Sequence, residues 1–145
     1  MGRVVMTLGT FDMLHVGHLE LLETSRRLAG EEGRVVVGLN TDAFVERYKG
    51  RPCVQSYAQR EELLRACRHV DLVVANIGEE DSRTVIDVIR PELLTIGADW
   101  QERDYLAQLG VTQAWLDERD LSIFYIPRTR GVSTSGMRQQ LAGVA

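Results

Sequence analysis

Val4-Val5-Met6-Thr7-Leu8 runs straight into Gly9-Thr10-Phe11-Asp12-Met13-Leu14-His15-Val16-Gly17-His18, and that join decides the fold. The apolar run reads as a buried strand. Leu19, Leu21, Leu22 and Leu28 then recur at the spacing of one helix face. Strand, glycine-containing turn and helix therefore follow one another. A helix start carries backbone N–H groups without helical partners and the positive end of the helix dipole. Such a place binds phosphate. Two histidines, His15 and His18, stand there three residues apart, with Gly17 between them to let a ligand approach the backbone. Phosphate binding plus imidazole points to chemistry on a phosphoryl group.

Working outward, the same alternation repeats along the chain. Apolar runs predict strands over 4–8, 34–39, 72–75, 93–96 and 122–126, and helical patterns fall over 16–28, 57–67, 82–89 and 134–141. Near-continuous apolar strands alternating with helices predict one α/β domain over residues 1–145. Its core is a Rossmann-like, doubly wound parallel sheet of about five strands with helices on both faces. Ligands in such sheets bind beyond the carboxyl ends of the strands, which is where the signature loop sits. Two stretches break the rhythm. Residues 46–56 read as a polar loop holding Lys49, Gly50, Arg51 and Pro52. Residues 101–121 carry Tyr105, Leu106, Leu109, Trp115 and Leu116, enough for one or two short helices separated at Gly110.

Composition narrows the function classes. A chain of 145 residues suits one domain burying about 70% of its unfolded surface. A net charge of −4 disfavours nonspecific nucleic-acid binding, so an anionic ligand must be met by local positive charge. No apolar run approaches the ~18 residues that a membrane span needs. A candidate site so close to the N-terminus argues against a cleaved leader. Cys53 and Cys67 offer no disulfide framework and read as thiols of a cytoplasmic protein. A zinc site needs three or four ligands, and His69, Cys53 and Cys67 form no ligand-spaced cluster with the histidine pair. The lysine-bearing P-loop is excluded, because no Gly-Lys-Ser/Thr follows the turn.

Other candidate residues follow strand ends. Lys49 and Arg51 lie after the second strand, where lysine supplies a point charge and arginine a bidentate donor for phosphate. Gly97-Ala98-Asp99-Trp100 follows the fourth strand, and Asp99 needs a partner if it is buried. Arg128-Thr129-Arg130-Gly131-Val132-Ser133-Thr134-Ser135 follows the fifth. It supplies hydroxyls, two guanidinium groups and a second helix start capped by Ser133 or Thr134. A triphosphate between two helix starts would have most of its oxygens satisfied.

These motifs together carry a resemblance. Gly9-Thr10-Phe11-Asp12 with His15-Val16-Gly17-His18 resembles the signature of the nucleotidyltransferase superfamily with the His-x-Gly-His motif. Lys49 and Arg51, Arg60, Arg68-His69-Val70-Asp71, Gly97-Ala98-Asp99-Trp100 and the 128–134 stretch follow in the order seen in glycerol-3-phosphate cytidylyltransferases. The resemblance implies that His15, His18, Lys49 and Arg128 are catalytic. It implies nucleotide contacts from Gly9, Thr10, Phe11, Gly17, Arg51, Asp99, Trp100, Thr129, Gly131, Ser133, Thr134 and Ser135. Asp12, Lys49 and Arg83 would meet the acceptor, Arg83 replacing a lysine that has no match here. It also implies Mg²⁺ carried mainly by the nucleotide phosphates, with no protein ligand assigned, and a homodimer with Arg68-His69-Val70-Asp71 near its interface. Arg130, Ser135 and Arg51 depart from the family pattern, and residues 101–121 form a longer stretch than the family has.

The expectation is cytidylyl transfer from CTP to a phosphorylated alcohol such as glycerol 3-phosphate, giving a CDP-alcohol and pyrophosphate. An adenylyltransferase using ATP on a sugar or polyol phosphate is the alternative. A nucleotide-binding module without catalysis is the minor one.

Overall fold

The computed structural model of the chain describes residues 2–127 and 134–142. Strand β1 (Val4–Gly9) opens it, followed by α1 (Val16–Ala29), β2 (Arg34–Leu39), α2 (Asp42–Lys49), α3 (Tyr57–Arg65) and β3 (Leu72–Ala75). Then come α4 (Arg83–Ile89), β4 (Leu93–Gly97), a 3₁₀ turn (Ala98–Glu102), α5 (Tyr105–Leu109), α6 (Gln113–Asp117), β5 (Ser122–Ile126) and α7 (Thr134–Ala142). All strand pairs are parallel, in the order β3-β2-β1-β4-β5. The order reverses between β1 and β4, and that switch point opens the crevice in which doubly wound sheets bind ligands.

Strand alternation assigns the two faces. Met6, Leu8, Val36, Leu94 and Ile96 pack with Val85 and Ile86 of α4, Tyr105 and Leu109 of α5, and Leu116 of α6. On the opposite face Val5 and Val35 meet Ala29 of α1, while Val37, Leu39 and Val73 meet Leu22 of α1 and Leu64 of α3. Gly38 is on the first face, where an added Cβ would come within 2.9 Å of Met6 Cε. Leu22 and Leu64 are wholly buried, and truncating either to alanine would cost about 2–5 kcal/mol.

The five strands stand where the sequence predicts them, and 101–121 does hold two short helices. Gly110 ends α5 in the left-handed conformation, φ 76°, and so separates them. The reading of 46–56 as loop from its start is corrected. Lys49 is instead the last residue of α2, which Thr41 caps and which Gly50 closes in a left-handed turn at φ 71°.

Candidate active site

The β1–α1 turn is built around the two histidines. His15 is the N-cap of α1, in extended conformation, and its Nδ1 accepts the Gly17 N–H at 3.1 Å. His18 reaches back, and its Nδ1 accepts the His15 N–H at 3.2 Å. The rings stack with centroids 3.8 Å apart. This is a capping box made by imidazoles in place of the usual hydroxyl and carboxamide. A nitrogen that accepts cannot carry the proton, so the proton of each neutral ring sits on Nε2. Helix capping thereby sets the tautomer and makes each Nε2–H a donor.

Two ion pairs, each with one buried partner, hold this turn. Arg60 is wholly buried and donates to the carbonyls of Thr10 (2.8 Å), Asn40 (3.0 Å) and Gln55 (3.2 Å) and to Asp42 Oδ1 (2.6 Å). It ties the chain beyond β1 to the chain beyond β2. Asp12 accepts from the N–H groups of Val54 (2.8 Å) and Gln55 (3.0 Å) and from Arg138 Nη2 (2.7 Å), which joins α7 to the signature loop. Burial alone would raise its pKa. The backbone donors and Arg138 outweigh burial and hold the carboxyl below its ordinary range. Phe11 and Met13 both take φ near 51°, a left-handed backbone that bulky residues seldom adopt and that functional loops retain. The Phe11 ring is buried beside His18, centroids 5.2 Å apart.

A cavity of about 390 Å³ opens at the carboxyl ends of the strands, within the size range of small-molecule sites. Of the candidates, Gly9, Thr10, Phe11, Asp12, His15, Gly17, His18, Lys49, Asp99, Trp100 and Ser135 line it. Lys49 is exposed by area, yet neighbouring atoms crowd its ammonium. Desolvation pulls its pKa down, with the like charges of Arg51 and Arg138 adding to the fall.

Two candidates are not brought into the cavity lining. Arg51 is exposed outside it. Arg83 lies outside the lining, and its guanidinium donates to both Asp81 oxygens at 2.8 Å at the exposed start of α4. Arg128, Thr129, Arg130, Gly131 and Ser133 lie outside the described residues, as does the side chain of Thr134. Asp71, in the segment assigned to a dimer contact, pairs with Arg26 and accepts the Val35 N–H at 2.8 Å within the chain.

The structure adds residues that sequence reading missed. Arg103 lines the cavity with its guanidinium over the Trp100 ring, 5.3 Å from the centroid. Asn40 donates to Thr10 Oγ1 at 3.1 Å. Asn76, Ser82 and Gln108 also line the cavity, beside Tyr105 of the 101–121 stretch that the sequence singles out. Among the described residues no group of three or more His, Cys, Asp or Glu side chains could hold a metal ion, and no helix is long and apolar enough to cross a membrane.

Comparison with known proteins gives a consistent picture. The model of the cytidylyltransferase-like family matches residues 6–140. The chain is 31% identical over 140 residues to the glycerol-3-phosphate cytidylyltransferase of Staphylococcus aureus, covering 96% of this chain and 95% of that protein. It is 38% identical over 143 residues to the bifunctional protein HldE of Magnetococcus marinus, covering 97% of this chain but only 27% of that protein's length. It is 35% identical over 109 residues to the FAD synthase of Korarchaeum cryptofilum, covering 74% of this chain and 73% of that protein.

Proposed function

The chain belongs to the cytidylyltransferase-like family and is a nucleotidyltransferase. On that premise we propose that it transfers a cytidylyl group from CTP to a phosphorylated alcohol, releasing pyrophosphate. The observation that carries the proposal is the histidine capping box at a phosphate-binding helix start. It fixes the rings of two histidines that line the cavity and leaves their protons on Nε2, and positioned donors are what a transferring phosphoryl group requires. The likeness to a glycerol-3-phosphate cytidylyltransferase along nearly the whole of both chains supports CTP and a phosphorylated alcohol as the substrates.

The chemistry is a direct displacement. An acceptor phosphate oxygen attacks the α-phosphorus of CTP in line. The bond to the β-phosphate oxygen breaks, and pyrophosphate leaves with that electron pair. The acceptor phosphate is already an anion at neutral pH, its second pKa being near 6, so no general base is needed. His15 and His18 donate to oxygens of the reacting phosphates, where negative charge builds up. Lys49 neutralises the acceptor phosphate, and Arg103, held over the Trp100 ring, adds positive charge on the nucleotide's side of the cavity. Gly9, Thr10, Gly17, Asp99, Trp100 and the 128–135 stretch hold the nucleotide. Mg²⁺ would sit on the nucleotide phosphates, which needs no protein cage and agrees with Asp12 being committed to Val54, Gln55 and Arg138. When bound, it supplies charge neutralisation.

We also propose a homodimer. The exposed Leu63 and Leu72 beside edge strand β3 offer an apolar contact, and sedimentation would test it. The relative named for FAD synthesis, whose product contains adenine, favours a second reading with ATP as donor.

The test is pyrophosphate release from CTP or ATP with a panel of phosphorylated alcohols and sugars. We expect CTP to be preferred by at least about 10-fold in kcat/KM, roughly 1.4 kcal/mol of transition-state binding. An ATP preference supports the second reading. No release with either nucleotide leaves a binding module.

A further inference from the structure

The cavity reaches past the signature loop to a second polar wall. Asn76 closes β3 and is 2% exposed, and its Nδ2 donates to Ser82 Oγ at 3.2 Å. Ser82 N–H donates to the Leu109 carbonyl at 2.8 Å, which seats α5 against the start of α4. Tyr105 is one turn before Leu109 on the same face of α5, 3% exposed. All four residues line the cavity, and so does Gln108.

Two polar atoms of this wall are buried and unmatched. Among the described residues, neither Asn76 Oδ1 nor the Tyr105 hydroxyl has a hydrogen-bond partner. Buried polar groups are nearly always paired in a native protein, so an orphan beside a cavity marks what the cavity receives. Asn76 Oδ1 only accepts, whereas the tyrosine hydroxyl donates or accepts. An alcohol group answers either, donating its O–H to Asn76 or accepting from Tyr105. Glu79, the charged group of the same lining nearest Asn76 in sequence, is paired with Arg47, so an uncharged ligand group matches these atoms best.

The wall's place in the sheet says which substrate it meets. Asp99 and Trp100 follow β4, and Ser135 is on the helix after β5, so the nucleotide lies over that half of the sheet. Lys49 follows β2, and Asn76 and Ser82 follow β3, on the other half, while Tyr105 and Gln108 follow β4 and reach that half through the Ser82–Leu109 hydrogen bond that seats α5 against the start of α4. We propose that Asn76 and Tyr105 form a hydroxyl-recognising subsite for the acceptor's carbon chain, so that the preferred acceptor is a polyol or sugar phosphate longer than glycerol 3-phosphate. This rests on the transfer reading above. It also gives residues 101–121 a role in specificity, since Tyr105 and Gln108 come from that stretch.

The experiment compares kcat/KM, with CTP, for glycerol 3-phosphate and a five-carbon alditol phosphate, in the parent, Tyr105→Phe and Asn76→Ala. The parent should favour the five-carbon acceptor by at least about 10-fold, and either variant should lower that ratio by about 10-fold, the worth of one or two uncharged hydrogen bonds. Tyr105→Phe keeps the buried ring, so it remains informative if Asn76→Ala does not fold. A ratio unchanged in Tyr105→Phe, or a parent that favours glycerol 3-phosphate, overturns the subsite. Calorimetric binding of the same two acceptors is read in parallel. Tighter binding of the five-carbon acceptor, abolished in Tyr105→Phe, upholds the subsite whatever the donor nucleotide. Equal binding of both acceptors overturns it. Failure of the transfer reading is separate and appears as no pyrophosphate from CTP with either acceptor.

Discussion

The two walls of the cavity are built on opposite plans. At the β1–α1 turn the His15 and Gly17 N–H groups, both histidine Nδ1 atoms, the Asp12 oxygens and the Arg60 guanidinium are tied into hydrogen bonds within the chain. At the α5 wall Asn76 Oδ1 and the Tyr105 hydroxyl have no such bond among the described residues. The first plan fixes geometry before any ligand arrives, which suits charge stabilisation at a reacting phosphorus. The second keeps its hydrogen-bonding capacity for the ligand, which suits recognition.

The comparison is broken hardest by removing what fixes the turn. Arg60→Met leaves three carbonyl acceptors without their donor, and unfolding in denaturant should show a loss of about 3–5 kcal/mol, about 1–3 kcal/mol for each acceptor left buried and unpaired. A loss below about 1 kcal/mol would mean the turn does not depend on Arg60.

Next in size is the histidine pair. His15→Asn or His18→Asn offers an amide oxygen where Nδ1 accepts, and removes the Nε2–H. Turnover should fall by ~100–1000-fold, while stability changes by less than about 1 kcal/mol. Turnover within a few-fold of the parent in a folded variant would leave the pair a capping device only.

Two pH effects sharpen the contrast. Lys49 must be charged to draw in the acceptor phosphate, and its pKa is below lysine's ordinary value because of desolvation. Activity should therefore fall on the alkaline side before an ordinary lysine would lose its proton, near 10.4. Lys49→Arg should move that limb upward, and a limb left in place would assign it to another group. For Asp12 the sign runs the other way. Its folded pKa is depressed, so the stability it contributes is complete above the unfolded value near 3.9 and is lost as pH falls through the folded one. Asp12→Asn should flatten the acid limb of stability against pH, and an unchanged limb would contradict the pairing with Arg138.

How much of this could be read from the sequence follows the same division. The strands and the histidine turn are local patterns, an apolar run and then a cap, and local patterns survive in one dimension. Helix α2 carried its signals too, Thr41 before it and Gly50 after, but the polar string beyond Lys49 drew the boundary into the helix. Arg60 stands among Gln59, Glu61 and Glu62, so its surroundings read as a solvated face, and only the crossing of three chain segments buries it. Arg103 and Tyr105 reach the cavity through packing on Trp100, at 5.3 Å and 5.4 Å, which no spacing predicts. Arg83 stands outside the cavity lining, paired with Asp81 at the exposed start of α4.

The most direct test of the account is the stereochemical course at the α-phosphorus. CTP carrying a chiral α-phosphorothioate is incubated with the enzyme and a polyol phosphate, and the configuration of the CDP-alcohol is read by phosphorus NMR. Direct attack by the acceptor phosphate, with the histidines fixed beside it, gives inversion together with pyrophosphate. Retention would mean two displacements through a covalent enzyme intermediate, and would contradict the role assigned to the β1–α1 turn.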